Sequence, residues 1–409
     1  MLGALWIGVA SAATVVVGPG GYGTVAAGVA AANPGDVVEI AAGTWVGAVT
    51  VVEPITLRGA GRGQTVLRAT GAGPVLTLSD DVTVESLTVD GQSSRRAVQV
   101  RDAALVRFDG ISVENGSSTV GAGGLEVGNN VDRIEIVGSL FRANTGRDGG
   151  GLVVWGTGGA LTEVSITRSL FRDNQAGTSS FAGGAVYLSP SSVTVDRVAF
   201  VDNSAGGAGA LFVDTPTGEV RIVGSRFCEN RSDHWSAVTV PFAHSRVIVA
   251  ESIFAANDGG IYVGDLGYYV YFPLGSLTVV ESTFVANTAP PFARSEAAID
   301  VGGSLRATIV DDVFADNVGS AGGGGVKVWS SAANRIDHNL WWNNSPVELR
   351  SASTGAHAVF ADPELLGFSD DGDCYADDFT LGSAVVDAGD PSRPLDSDGT
   401  VQDIGPRIH

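Results

Sequence analysis

The chain has 409 residues, 44% of them hydrophobic, with 57 glycines and a formal net charge of −21. Such hydrophobic content excludes a disordered chain, and glycine at about twice its usual share but without a Gly-X-Y period excludes a collagen-like one. An acidic surface repels phosphate backbones, which argues against nucleic acid as a partner.

Residues 1–13 (Met-Leu-Gly-Ala-Leu-Trp-Ile-Gly-Val-Ala-Ser-Ala-Ala) read as a short signal peptide ending in small residues, although a positive n-region is missing. That reading implies export to the cell exterior or cell surface. No later stretch approaches the roughly 18 uninterrupted apolar residues that a membrane-spanning helix requires. Thr14–Val17 is expected as a strand. Thr24 to Asn33 is expected as a helix, capped by Thr24 and stopped by Asn33-Pro34-Gly35-Asp36. Short β-branched runs follow, at residues 37–40, 49–52 and 55–57.

From about residue 75 a repeat takes over. Asparagine recurs at Asn115, Asn144, Asn174, Asn203, Asn230, Asn257, Asn287, Asn317 and Asn344. Phe141, Phe171, Phe200, Phe227, Phe254, Phe284, Phe314 and Trp341 stand three residues before the last eight. A Gly-Gly-β segment follows most units, as in Gly183-Gly-Ala-Val-Tyr-Leu188 and Gly323-Gly-Gly-Val-Lys-Val328. A fixed period of this size marks a repeat architecture. Three short strands and no helix per unit give an all-β, single-stranded parallel β-helix over 14–360, of about ten to eleven coils at ~4.8 Å per coil, for which the resemblance given below implies a right-handed winding. The expected columns are an inward aromatic ladder, an asparagine ladder at one turn, and glycines supplying positive φ at the bends. The helix near residue 24 is expected to cover the first coil.

Residues 361–409 form an irregular Asp/Gly-rich tail, expected to close the C-terminal end. Cys228 and Cys374 are too few for a disulfide framework. One bridge between tail and array is possible, but two free thiols, with Cys228 facing outward or packed at a turn, are the simpler expectation.

The Phe-x-x-Asn units with their Gly-Gly-β partners resemble bacterial right-handed β-helix repeat proteins, including the repeats of chlamydial polymorphic outer-membrane proteins. Asn33-Pro-Gly-Asp-Val-Val, Ala42-Gly-Thr-Trp45 and Ile55-Thr-Leu-Arg-Gly59 look like the first coil of the pectin-lyase-like superfamily. The tail segments Asp387-Ala-Gly-Asp-Pro391 and Asp403-Ile-Gly405 are similar to the ends of secreted bacterial β-helix proteins. The resemblance implies fold and, more loosely, polysaccharide as a partner. Nothing after residue 360 could form an autotransporter barrel.

Three sets of side chains could carry chemistry. Glu251, Glu281 and Asp311 stand three residues before the Phe in consecutive coils, with His338 in the next. Stacked carboxylates repel, so solvent, a raised pKa or a cation must compensate. In an enzyme they would be the acid and nucleophile of a glycoside hydrolase or the metal-holding groups of a calcium-dependent lyase, and His338 or an arginine the proton donor or charge clamp. Trp155, Tyr268 and Trp329 fall 11 or 12 residues after their asparagines. With Tyr269 and Tyr271 they could stack on sugar rings. Asp396, Asp398, Thr400 and Asp403 surround Gly399 in a pattern partway to a calcium loop, which makes calcium the cofactor to consider. The leading functional expectation is a secreted or surface-displayed scaffold that binds glycans without catalysis. The alternative is a polysaccharide lyase or glycoside hydrolase.

Overall fold

The computed structural model describes residues 12–156, 162–189, 191–214, 218–241, 246–264, 275–290, 297–303, 305–320, 324–329, 333–369 and 374–406. The signal-peptide reading falls almost wholly on residues outside this set. Each coil runs through three faces. A representative coil has a first-face strand Thr162–Thr167, a second-face strand Leu170–Arg172 and a third-face strand Val186–Leu188. Every strand pairs in parallel with its counterparts one coil away: Val164 with Val193, Phe171 with Phe200, Val186 with Leu211. The result is the expected all-β solenoid, about 11 turns long. Near the N-terminus the long strands Val98–Asp109 and Leu125–Val137 pass without a break from the third face into the first.

Side-chain alternation explains the interior. Val164, Ile166, Phe171, Val186 and Leu188 point inward and are at most 1% exposed, and every coil repeats them, so one apolar core runs the length of the rod. The phenylalanine rings lie directly over one another. From Phe141 to Trp341 successive centroids are 4.6–5.2 Å apart, with interplanar angles of 3–18°. Free aromatic pairs favour offset or edge-on contacts. Here the strand spacing of about 4.8 Å dictates the stack.

The asparagine ladder is a closed hydrogen-bond relay. Asn174 Nδ2 donates to Phe141 O and to Asn203 Oδ1, both at 2.9 Å. Its Oδ1 accepts from the backbone N of Asn144 at 3.2 Å and from Asn144 Nδ2 at 2.9 Å. The pattern holds to Asn344. Asn115 is not part of it. Gly116 occupies the ladder position, donating its N–H to Asn144 Oδ1 at 2.8 Å, while Asn115 takes the bend with φ 52° and donates to Asp90. A serine column at the bend between the first and second faces does similar work. Ser169, Ser225, Ser252 and Ser282 each donate Oγ to the carbonyl two residues back.

The bends correct one expectation. Positive φ is carried mainly by non-glycine residues, such as Arg168, Arg197, Glu251, Glu281, Asp311 and His338 at one corner and Ala143, Asp173, Asp202 and Glu229 at the next. The paired glycines serve a different need, which is clearance. A Cβ on Gly184 would lie 2.0 Å from Gly209 O, and one on Gly150 would lie 2.5 Å from Gly184 O. At the N-terminus the helix Val25–Ala31, capped by Thr24, packs Val25, Gly28 and Val29 at the first coil. A Cβ on Gly28 would meet Val17 at 2.4 Å, so this close approach also requires glycine.

The tail overturns two expectations. Cys228 and Cys374 form a disulfide, 146 residues apart in sequence. The described tail residues do not simply close the end of the stack. Cys374, Phe379, Val385 and Ile404 pack along the outside of the second face against Val201, Cys228, Ala255, Val285, Val313 and Ala315. The physical reason is visible in the strands. Earlier coils place Arg142 and Arg172 outward in this column, but later coils place Val201, Cys228, Ala255, Val285 and Ala315 there. A strand apolar on both sides must be covered on both sides.

If the asparagine relay holds the register, Asn230→Ala should cost at least ~2 kcal/mol in denaturant unfolding, because buried partners in two coils lose their bonds. Asn115→Ala should cost less than ~1 kcal/mol, since Ala143, Ala256 and Ala286 already occupy the equivalent bend. Equal losses would show that the relay is not the element that matters.

Candidate functional site

The column Glu251, Glu281, Asp311 and His338 lies at the corner between the first and second faces, with φ of 51–62°. The column is neither on a flat sheet nor in an open groove, because the tail crosses it. The Arg393 guanidinium bridges Glu281 at 2.5 Å and Asp311 at 2.7 Å. The Asp390 N–H donates to Asp311 Oδ1 at 2.7 Å, and the Gly405 N–H donates to Asp311 O at 2.7 Å. Asp390 in turn pairs with Arg335. Glu281 and Asp311 are buried, Glu251 half-buried. Burial pushes Asp311 above the usual carboxylate range, and Arg393 and the Asp390 N–H pull against it. Arg393 itself loses solvation, yet the two carboxylates hold its pKa above the ordinary arginine value. The compensation that stacked carboxylates require is thus a cation from the tail.

Next to this clamp, Asp312 takes the place of a serine in the inner corner column. Its Oδ1 accepts from Ser282 N at 2.8 Å, and its Oδ2 is buried without a hydrogen-bond partner. Burial pushes its pKa well upward, so the neutral acid is favoured. At the bend after the second face, Glu229 is buried and accepts the Cys374 N–H at 2.9 Å, again fastening the tail.

The proposed calcium loop folds as a turn that binds itself. Thr400 donates its N–H to Asp398 Oδ1 at 2.9 Å, Asp398 donates its N–H to Asp396 Oδ1 at 3.2 Å, and Asp403 Oδ1 accepts from Asp387 N at 2.9 Å. A side-chain hydrogen bond between them moves Asp396 upward and Asp398 down to about 2. Among the described residues, the one close group of three metal-competent side chains is elsewhere, at Asp337, His338 and His357.

Trp155 and Trp329 do share one side. Both follow third-face strands at the same register position, six coils apart, or ~29 Å at the strand spacing. Tyr268, Tyr269 and Tyr271 lie outside the described residues. Trp155 packs against Tyr187 with ring centroids 5.4 Å apart and planes tilted by 53°, and Tyr187 donates its hydroxyl to Asp214 at 3.0 Å. Trp329 is 59% exposed.

Beside Trp329 the structure assembles groups that the sequence reading left apart. The outward residue of the third-face strand reads Tyr187, Phe212, Thr239, Tyr262, Asp300, Lys327 and Arg350 in successive coils. Lys327 Nζ lies 3.3 Å from Asp300 Oδ2, with Asp300 buried, and 4.7 Å from the Trp329 ring centroid. Arg350 Cζ lies 6.0 Å from the same ring. A signal was present in the sequence. Tyr187, Phe212, Tyr262 and Lys327 occupy one position of the Gly-Gly-β segments, and Lys327 is the only lysine of the chain.

Residues 150–341 match the family described as right handed beta helix region. Over those residues the chain is similar to right-handed β-helix proteins, in agreement with the parallel coil-to-coil strand register. Similar solved structures include the A-module of the mannuronan C-5 epimerase AlgE4 from Azotobacter vinelandii, 13% identical, covering 80% of this chain and 91% of that one, with a TM-score of 0.38. The pectate lyase Pel9A is 14% identical over 97% of this chain and 96% of that one, with a TM-score of 0.39. The PL6 family alginate lyase AlyGC is 16% identical over 97% of this chain and 59% of that one, with a TM-score of 0.44. A search of curated proteins finds no match.

The clamp yields a direct test. Arg393→Ala leaves two buried carboxylates without their cation, which should cost about 3–5 kcal/mol locally. Limited proteolysis should then open residues 374–406 while the coils stay folded. Adding Glu281→Gln and Asp311→Asn should restore part of the loss. A tail as resistant in Arg393→Ala as in the parent would remove the clamp's role.

Proposed function

We propose that the protein binds an acidic polysaccharide along the C-terminal part of its third face, working outside the reducing cytosol on the cell surface or in the medium. The observation that carries this reading is the exposed Trp329 ring flanked by Lys327 and Arg350. An indole offers a flat apolar surface to a pyranose ring, and the Arg350 guanidinium beside it matches a sugar carboxylate, while the Lys327 ammonium at the same ring is paired with Asp300. In a chain of net charge −21 such a cationic spot is local, so it selects where an anionic polymer settles. The Cys228–Cys374 bridge supports the oxidising location.

A second reading is favoured by the row itself. Tyr262, Asp300, Lys327 and Arg350 bring unlike titratable groups onto four successive coils. Eliminative cleavage of a uronate polymer needs a cation on the carboxylate, a base for the proton α to it, and an acid at the leaving oxygen. Arg350 could fill the first role, and Lys327 or Tyr262 the others.

Binding to immobilised alginate, pectate and a neutral glucan decides between these readings. The parent should be retained on a uronate polymer, less so as salt rises, and Trp329→Ala or Lys327→Ala should weaken retention at least ~10-fold, the scale of a lost aromatic or charge-assisted contact. Equal retention of parent and variants would sink the proposal. Release of unsaturated ends, lost in Lys327→Ala, would establish the lyase reading.

A further inference from the structure

The last described first-face strand, Arg335–Asp337, ends in a cluster that the glycan reading does not use. His338 follows at the positive-φ bend, and His357 returns to it from the chain beyond the last third-face strand. The two imidazoles lie 4.4 Å apart with an interplanar angle of 17°. Asp337 accepts from both ends of His357: its Oδ1 takes the backbone N–H at 2.9 Å, and its Oδ2 lies 2.9 Å from Nδ1. His338 Nδ1 faces the same Oδ2 at 3.6 Å, beyond hydrogen-bond reach. That nitrogen is buried with no hydrogen-bond partner, on a residue only 8% exposed. One ligand atom from each of the three residues lies within 4.8 Å of the others.

A buried imidazole nitrogen without a partner is costly, and aimed at a carboxylate oxygen and a second imidazole it has the surroundings of a ligand. We infer that Asp337, His338 and His357 form a binding site for a divalent transition ion of the zinc type. Two nitrogen donors and one carboxylate suit zinc, cobalt or nickel, whereas calcium and magnesium take oxygen donors. Three protein ligands leave a fourth position for water or an incoming donor. Tetrahedral bonds of ~2.0–2.1 Å would set the ligand atoms about 3.3 Å from one another, between the 2.9 Å and 3.6 Å that now separate Asp337 Oδ2 from His357 Nδ1 and His338 Nδ1. His357 can make that adjustment, since its side chain is 64% exposed while His338 and Asp337 are held by the coil. The ion would tie the chain around His357 to Asp337 and His338 at the last strand of the first face. It would therefore act as a staple at the C-terminal end of the rod, far in kind from the sugar-facing row on the third face.

The test uses the full chain, stripped with chelator and titrated with Zn²⁺, Co²⁺, Ca²⁺ and Mg²⁺. The expected result is saturable uptake of one Zn²⁺ or Co²⁺ per chain, a visible Co²⁺ spectrum of nitrogen–oxygen ligation, and a rise in the thermal midpoint. Calcium and magnesium should not compete. His357→Ala alters an exposed side chain and should fold normally. It should weaken Zn²⁺ binding by more than ~10–100-fold, because losing a ligand costs at least as much as losing a ligand's outer partner. No saturable uptake, uptake unchanged in His357→Ala, or equal competition by Ca²⁺ would overturn the inference, the last two assigning the ion to surface carboxylates.

Discussion

Vertical register is the constraint on which the molecule depends. Backbone hydrogen bonds set the coil spacing, but they would tolerate a slip of two residues at little cost to burial. The asparagine relay does not tolerate it. Each Asn amide is spent in three directions, toward the phenylalanine carbonyl of the coil before and toward the asparagines on both sides. Aspartate could not donate and glutamine could not reach, so the residue type follows from the hydrogen-bond inventory. The aromatic stack then falls into place as a consequence, because Phe stands at a fixed distance from Asn in the chain.

Register also brings every like charge over its neighbour, and the chain answers this in three ways. At the first corner, Arg168 and Arg197 share the column with Glu251, Glu281 and Asp311, so its sign changes along the rod. Where two acids do fall together, Arg393 enters from outside. At Asp312, enclosed in the inner column, burial favours the protonated acid over the anion. These are the solutions open to any stacked solenoid, and only the second links distant parts of the sequence.

That distinction separates what was legible in the sequence from what was not. The coil arrangement could be read because Phe and Asn recur at short range, one unit after another. The tail's route could not be read from Cys374 or Arg393 alone, since their partners lie 146 residues away for the disulfide and 82 for the Asp311 pair. A clue existed in the second-face strands, where Leu-Phe-Arg gives way to Ile-Phe-Ala and Val-Phe-Ala. Assigning φ > 0 to the glycines holds only at some bends, Gly110, Gly138 and Gly224 among them, for a related reason. Glycine is demanded both by dihedral angle and by close approach, and only a neighbouring coil reveals which applies. Trp329 was singled out by position, but Asp300, Lys327 and Arg350 became a group only when coils of unequal length were laid in register.

The faces are not equivalent as places for recognition. Over its later coils the second face is occupied by the chain's own tail, so its apolar surface is already used. The N-terminal half of the first face is laced with ion pairs, Arg58 with Glu39 and Glu85, Arg107 and Arg133 with Glu135. The third face differs in composition. Its outer row reads Tyr187, Phe212, Thr239 and Tyr262, all buried, then changes to Asp300, Lys327 and Arg350 beside an exposed indole. A row that shifts from aromatic to charged within a regular array departs from what stacking alone selects, since identical neighbours would satisfy the fold equally well. Departures of this kind mark positions that answer to something other than the coil above and below.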